Sequence, residues 1–137
     1  VPIWYLDGDG DGFGDPGAIQ CANARPAGYV ADSTDCCDAM ADVNPAQAGW
    51  FARGYICPGS GSTYETFDYD CDGYEEQRWE DMGYCSTSSG GCIAVPGWDF
   101  WLWAPWCGES ETWISACGWS GGSCVTTASS TRTQECR

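Results

Sequence analysis

Residues 7–16 read DGDGDGFGDP, and this acidic stretch decides how the rest of the chain is interpreted. Asp7, Asp9 and Asp11 stand at every second position, and Asp15 follows shortly after. Like charges this close repel one another and would leave the segment disordered unless a cation lies among them. The pattern D-x-D-x-D-G is typical of calcium loops, where carboxylates at positions 1, 3 and 5 and the backbone carbonyl at position 7 bind the ion.

The same pattern occurs twice, as DGDGDGF at residues 7–13 and as DYDCDGY at residues 68–74. In both, glycine at position 6 permits the sharp turn, and an aromatic residue at position 7 is free to pack because only its carbonyl binds. The repeat predicts two or more Ca²⁺ ions. The predicted ligands are Asp7, Asp9, Asp11, Phe13 and Asp15 in the first loop, and Asp68, Asp70, Asp72, Tyr74 and Glu76 in the second.

Neither loop is a complete EF-hand, because position 12 holds Ala18 or Trp79 where a bidentate glutamate is expected. The missing carboxylates are expected from residues 32–45, DSTDCCDAMADVNP. Asp35 and Asp38 are the favoured residues, since they flank Cys36-Cys37 and a disulfide there would fix them toward the first loop. The alternative is that this segment is only an acidic turn.

The net charge of the chain indicates which classes of partner it can bind. Twenty acidic residues stand against five basic ones, with no histidine, so the formal net charge is −15. Nucleic acids and anionic membrane surfaces need a basic face, so neither is an expected partner, whereas cations are. Nine tryptophans and seven tyrosines are too many for a disordered chain. No apolar run is long enough for a membrane-spanning helix, so no membrane insertion is expected.

Eleven cysteines indicate how such a chain is held together. Zinc sites usually use C-x₂-C pairs and often histidine, and neither occurs in this sequence. Disulfides are therefore expected, which places the protein in an oxidising compartment as a secreted, extracellular or cell-surface chain. Because the number is odd, one thiol is free or bonds another chain.

The predicted fold is a small disulfide-rich, loop-rich β protein with calcium-binding loops, few short strands and at most one short helix. Composition divides it into a calcium-binding aspartate-loop module, residues 1–80, and a Trp/Cys-rich β module, residues 81–137. Apolar and β-branched runs predict strands at 2–6, near Tyr29, and within 99–106, 111–116 and 123–129. The helix candidate is EEQRWEDM, residues 75–82.

About residues 4–76 resemble a metal-binding motif of bacterial secreted surface proteins, as in myxobacteria-like proteins and the copper-repressible surface protein of methanotrophs. The resemblance rests on YLDGDGDGFGDPGAIQC, PAGYVADSTDCCDAMADVNPAQAG and CPGSGSTYETFDYDCDGYEE. It implies calcium at both aspartate loops, by analogy with thrombospondin type 3 repeats, and no catalytic residues. Copper is not expected, because the copper-binding relative uses histidine. Cys37 and the sequence NPAQ depart from the motif, which has an aspartate and N-P-G-A there.

The resemblance also implies disulfides Cys21–Cys36 and Cys57–Cys71. Cys85 and Cys92 could close the loop between them, and two further bonds are open among the last four cysteines. Cys37 is then left as the free or intermolecular thiol. The predicted disulfide cysteines are Cys21, Cys36, Cys57, Cys71, Cys85, Cys92, Cys107, Cys117, Cys124 and Cys136.

Tryptophans dominate the second half, where WDFWLWAPW places Trp98, Trp101, Trp103 and Trp106 close together. In a chain poor in aliphatic residues they are expected to form the core, although a carbohydrate-stacking face or a self-association surface remains open. The tail CVTTASSTRTQECR weakly resembles thrombospondin type 1-like repeats, in which Arg and Trp stack in alternating layers, and Arg132 is the candidate for such a layer.

These observations predict a non-enzymatic extracellular calcium-binding structural protein, a building block of a cell-surface or matrix fibre. The alternative is a calcium-dependent adhesin or carbohydrate-binding module. The expected partners are copies of the same chain, neighbouring modules of a larger surface protein, or carbohydrate. The self-association candidate is the first apolar segment, an extended strand with no visible hairpin partner that could complete a neighbour's sheet. It consists of Val1, Pro2, Ile3, Trp4, Tyr5 and Leu6.

Overall fold

The computed structural model describes residues 1–99 and 102–137, and every regular element in those ranges is a β-strand. The strands are β1 Ile3–Leu6, β2 Asp15–Cys21, β3 Tyr29–Val30, β4 Tyr84–Ser86, β5 Ile93–Val95, β6 Gly97–Trp98, β7 Ser110–Ser120 and β8 Ser123–Thr133. Contacts divide the chain into two compact units. The aspartate-loop unit holds residues 1–50, 54–76 and 137, and the tryptophan unit holds residues 51–53 and 77–136.

The aspartate-loop unit has one three-stranded antiparallel sheet in the order β2-β1-β3. The aromatic and β-branched residues of β1 favour an extended strand. Residues 7–14 join β1 to β2, so the first aspartate loop closes this hairpin. The pairing shifts there, since Tyr5 faces Ile19 while Leu6 faces Asp15.

The core of this unit is small and aromatic. Its buried apolar residues are Cys37, Val43, Tyr55, Phe67 and Tyr69. The rings of Tyr55 and Tyr69 meet edge to face with centroids 4.8 Å apart. Disulfides Cys36–Cys71 and Cys37–Cys57 span 35 and 20 residues. On the chain-entropy account each contributes about 3–4 kcal/mol, which offsets the shortage of apolar burial.

The tryptophan unit is built on a long hairpin of β7 and β8. Gly121 and Gly122 form its two-residue turn with φ of 57° and 83°, a conformation that glycine adopts without strain. Strand β6 pairs with the other edge of β7, and β4 pairs with β5 in a separate two-stranded ladder. Three disulfides brace this unit: Cys85–Cys117, Cys92–Cys124 and Cys107–Cys136.

Tryptophan and arginine side chains are layered in this unit. Trp98 is fully buried, and its ring centroid lies 5.2 Å from that of Trp113. The Arg132 guanidinium lies 4.0 Å from the Trp113 centroid and 4.7 Å from that of Trp79. Arg78 covers Trp79 at 4.6 Å. Arg132 therefore forms the predicted layer between two tryptophans, an arrangement stabilised by cation–π attraction.

Gln134 fixes the backbone at the centre of these layers. Its side chain is fully buried, its Nε2 donates to the Trp79 carbonyl at 2.6 Å, and its Oε1 accepts from the Trp79 N–H at 3.2 Å. The indole N–H of Trp98 donates to the same carbonyl at 2.9 Å. Both polar ends of the buried amide thus have partners, as burial requires.

The helix candidate at residues 75–82 is not a helix. Its backbone groups bond to distant segments instead, since Glu76 N–H donates to Arg137 O and Arg78 N–H donates to Glu135 O. Between residues 97 and 106, strand β6 covers only Gly97–Trp98. Residues 100 and 101, which include the predicted core residue Trp101, lie outside the described residues.

The implied disulfide pairings are wrong, although nine of the ten predicted disulfide cysteines are bonded. Cys21 is the free and exposed thiol, whereas Cys37 is buried and bonded to Cys57. The adjacent residues Cys36 and Cys37 bond to different cysteines, Cys71 and Cys57, and both partners lie in the aspartate-loop unit. Cys21 is held opposite Ile3 on the hairpin and has no cysteine in reach.

The expectation of an unpaired first strand is also wrong. β1 is the central strand of its sheet, with β2 along one edge and β3 along the other at Tyr5 and Leu6. The hairpin partner was hidden in DPGAIQC, because a Pro-Gly pair usually marks a turn. A strand paired inside its own sheet is not free to complete a neighbour's sheet, so this route to self-association loses its basis.

Candidate metal centre

The first aspartate loop wraps its own backbone around its carboxylates. The Asp7 carboxylate accepts hydrogen bonds from the N–H groups of Gly10 at 2.8 Å and Gly12 at 3.2 Å. These glycines have φ of 86° and 97°, which lets the chain turn back so tightly. The Asp11 carboxylate accepts from the Phe13 N–H at 2.9 Å and holds the exit of the loop.

The second loop repeats this arrangement. The Asp68 carboxylate accepts from the N–H groups of Asp72 at 3.1 Å and Gly73 at 3.0 Å, and Asp72 accepts from Tyr74 at 2.8 Å. Cys71 takes the place of Gly10 with φ of 59°, and of the described non-glycine residues it alone has a positive φ. The two loops therefore share a positive φ at positions 4 and 6 and the hydrogen bonds donated by the N–H groups of positions 6 and 7.

Carboxylate oxygens converge at three points. In each of three trios, one oxygen per residue lies within 4.8 Å of the others. The trios are Asp7, Asp9 and Asp11; Asp9, Asp35 and Asp38; and Asp68, Asp70 and Asp72. We call the five residues of the first two trios the first aspartate cluster, and Asp68, Asp70, Asp72 and Glu76 the second aspartate cluster.

Asp35 and Asp38 reach the first loop as their positions beside Cys36-Cys37 predict. Asp38 Oδ1 accepts from the Gly8 N–H at 2.6 Å, which ties the segment to the loop. Asp35 Oδ1 accepts from the Cys37 N–H at 2.7 Å, and Asp35 is only 4% exposed. These carboxylates lie where they could supply the charge that the loop lacks at position 12.

Several oxygens of the clusters are buried without a hydrogen-bond partner. Among the described residues, these are all the buried side-chain oxygens that lack one. They are Asp9 Oδ2, Asp11 Oδ2, Asp35 Oδ2, Asp70 Oδ1 and Glu76 Oε2. Native proteins leave few buried polar atoms unpaired, and each calls for an explanation such as an ion. The donor set therefore fits a cation bound by oxygen atoms.

Burial also changes the acidity of these groups. It raises the pKa of Asp35 to about 6, against the lowering effect of the Cys37 N–H and together with the charges of Asp11, Asp9 and Asp38. Burial likewise raises the pKa of Asp11 and of Asp68. In each case the charged carboxylate is less stable than in water, which a bound cation would reverse.

The second cluster differs in having a basic neighbour. Arg137 Nε lies 3.4 Å from Asp70 Oδ2, and its guanidinium stacks on Trp50 at 4.4 Å. Burial, and then a hydrogen bond with the Asp72 carboxyl, raises the pKa of Glu76. Glu76 thus joins this cluster from position 9, as the loop pattern predicts.

Three other predicted ligands, Asp15, Phe13 and Tyr74, are not members of the trios, which contain only side-chain carboxylates. The Asp15 carboxylate accepts from the Gly17 N–H at 2.7 Å, in a local turn. The Tyr74 side chain is 74% exposed, so the expectation that the aromatic residue at position 7 packs is wrong for the second loop. Phe13 is half-buried. Two polar residues outside the loops also lie at the clusters. The Asn44 side chain acts to lower the pKa of Asp11, and Arg137 pairs with Asp70; neither is a carboxylate, so the loop pattern does not predict them.

Carboxylate-only sites suit hard divalent cations such as Ca²⁺, which takes six to eight oxygen ligands. Within the described residues no helix has the length and apolar character needed to cross a membrane. The disulfides fit an oxidising compartment. Comparison of this chain with protein-family models, curated proteins and solved structures gives no match.

Proposed function

We propose that this chain is a non-enzymatic, extracellular calcium-binding structural protein, a building block of a cell-surface or matrix assembly. The observation that carries the proposal is the set of buried carboxylate oxygens without hydrogen-bond partners, all in the two aspartate clusters. The resemblance of residues 4–76 to a bacterial surface-protein motif points the same way.

Bound calcium would supply charge neutralisation and rigidity. The clusters bring like charges together in a chain of net charge −15, and its cores are small. A divalent ion at each cluster would turn mutual repulsion into attraction and hold the hairpin turn against residues 35–38. The product is a stiff, cross-linked unit suited to mechanical use outside the cell.

Thermal unfolding with a chelator and with calcium tests this function. Extracellular modules bind calcium with Kd of about 10⁻⁴–10⁻³ M. At millimolar calcium, mass action then adds roughly 1–3 kcal/mol of stability, which we expect as a higher Tm. Magnesium at the same concentration is the control and should stabilise less, because it demands stricter geometry. Equal Tm values with chelator and with calcium would refute the proposal.

Assembly is tested separately, since calcium binding does not require it. Negative-stain microscopy of the chain at millimolar calcium should show filaments or oligomers. A uniform monomer would contradict a role in fibres and leave the calcium function standing.

A carbohydrate-binding adhesin is the second candidate, favoured by tryptophans outside the core. Trp103 and Trp106 are 55% and 69% exposed, and flat aromatic faces of this kind can stack on sugar rings. Binding to a glycan array that is lost in Trp106→Ala would support it. Trp119→Ala is the matched control, since Trp119 is 59% exposed at the far end of β7.

A further inference from the structure

The geometry points to two neighbouring divalent cations at the first aspartate cluster, with Asp9 as the ligand they share. The second aspartate cluster takes one, so the chain binds three. This inference rests on the proposed calcium function and adds the number of ions and the way the first pair is held.

The spacing of the oxygens is compatible with two ion positions. Calcium lies 2.3–2.6 Å from its ligands, so two ligands of one ion are at most about 5 Å apart. The oxygens of Asp7, Asp9 and Asp11 meet that limit, and so do those of Asp9, Asp35 and Asp38. The five residues thus form two trios that share Asp9, and each trio can surround its own ion.

Asp35 gives independent evidence for a ligand at the trio of Asp9, Asp35 and Asp38. The residue is 96% buried, and its Oδ2 has no hydrogen-bond partner although its Oδ1 has one. The shared Asp9 also has a buried Oδ2 without a partner. A charged carboxylate oxygen buried among other carboxylates is strongly stabilised by a neighbouring positive charge.

The charge count favours two ions over one. The five carboxylates of the first cluster carry a formal charge of −5, so one divalent ion would leave −3 and two would leave −1. The second cluster has one trio, and the Arg137 guanidinium already faces Asp70. One divalent ion is sufficient there.

Position 2 of each loop explains why only the first loop has a second trio. Gly8 occupies this position in the first loop, and a Cβ added to it would lie 2.7 Å from Asp38 Oδ2. The absence of a side chain is what lets Asp38 approach. Tyr69 occupies the same position in the second loop, where its ring is buried against Tyr55. A side chain therefore stands where the first loop leaves room for Asp38.

The test is a count of bound calcium by native mass spectrometry and by equilibrium dialysis, at about 1 mM free calcium with magnesium present to displace weak surface ions. We expect three ions per chain. Asp38→Asn keeps the acceptor for the Gly8 N–H but loses the charge, and should bind two. Asp70→Asn should lose only the ion of the second cluster. Asp32→Asn is the matched control outside the trios and should still bind three.

Gly8→Ala is the sharper variant, because it removes no carboxylate. It should displace Asp38 and bind two ions, whereas Gly91→Ala, at an open position with ordinary φ, should bind three. Two ions in the wild-type chain, or three in both Asp38→Asn and Gly8→Ala, would overturn the shared pair and leave the calcium function intact. No bound calcium in any variant would refute the calcium function as well.

Discussion

Replacing Asp35 with asparagine should change stability in opposite directions with and without calcium. Asparagine keeps the shape of the side chain and the acceptor for the Cys37 N–H, but it removes a buried negative charge that faces Asp9, Asp11 and Asp38. In metal-free protein, removing this charge should increase the stability of the fold. In calcium-loaded protein it deletes a charged ligand.

The magnitude follows from the acidity of the group. Burial raises the pKa of Asp35 from 3.8 to about 6. At pH 7 the carboxylate is ionised in the folded and unfolded chains, so this difference destabilises the metal-free fold by about 2–3 kcal/mol. Asp35→Asn should recover that amount, which corresponds to a rise of about 10 °C in Tm for a unit of this size. The stabilisation by calcium should shrink in the same variant.

Thermal melts at pH 7 in chelator and in calcium measure both effects. Asp32→Asn is the control, because Asp32 is an acidic residue whose acceptor role toward the Thr34 N–H survives the change. Its Tm should move little under either condition. If Asp35→Asn lowers Tm in chelator, Asp35 stabilises the fold by itself and the reasoning fails. An unchanged calcium response in that variant would refute its role as a ligand.

Three further outcomes are expected. Because the folded pKa of Asp35 lies above the unfolded value, metal-free protein should gain stability as the pH falls from 7 toward 4, and calcium should reverse the trend; a denaturant series at several pH values measures this. A maleimide should label native protein once, at Cys21, and a second label would contradict the disulfide pairing. Cys21→Ser should leave the Tm unchanged. Cys37→Ser should lower the free energy of unfolding by about 3 kcal/mol, because it breaks the bond to Cys57. Gln134→Leu should destabilise the protein by about 2–4 kcal/mol, since it leaves the Trp79 N–H buried without its acceptor; a Tm within 2 °C of wild type (~0.5 kcal/mol) would contradict that role.

The aspartate loops could be predicted from the sequence because local interactions determine their conformation. Glycines where φ must be positive, and aspartates that bond two residues onward, specify the loop without help from the rest of the fold. The two loops could therefore be recognised as one motif, and Asp35 and Asp38 could be placed by proximity to a cysteine pair. The Arg132 layer was expected for a different reason, namely the resemblance of the tail to thrombospondin type 1-like repeats, in which arginine and tryptophan stack.

The long-range pairing of cysteines and of strands could not be predicted from local sequence patterns. Which cysteine meets which depends on how the strands fold back, and Cys36 reaches Cys71 across 35 residues. Strand β2 is not evident from the sequence, because a Pro-Gly pair usually marks a turn. In the fold, Pro16 and Gly17 lie in the irregular first part of the strand, where the register shifts. Residues 75–82 include helix-forming residues, but their backbone groups form hydrogen bonds with residues distant in sequence. A local sequence pattern does not show such partners.

The Cys36–Cys71 bond would link the proposed binding of ions to the oxidation state of the chain. Cys36 directly follows Asp35, and Cys71 lies between Asp70 and Asp72, so one covalent bond holds ligand segments of both clusters. If the proposed ions bind at these clusters, a reduced chain would lack the covalent link between the two ligand segments and should hold the ions more weakly. Under the proposed function, calcium loading would then follow oxidation of the chain. A calcium indicator that reports release when the disulfides are reduced would show this dependence directly, and ions retained by fully reduced protein would argue against it.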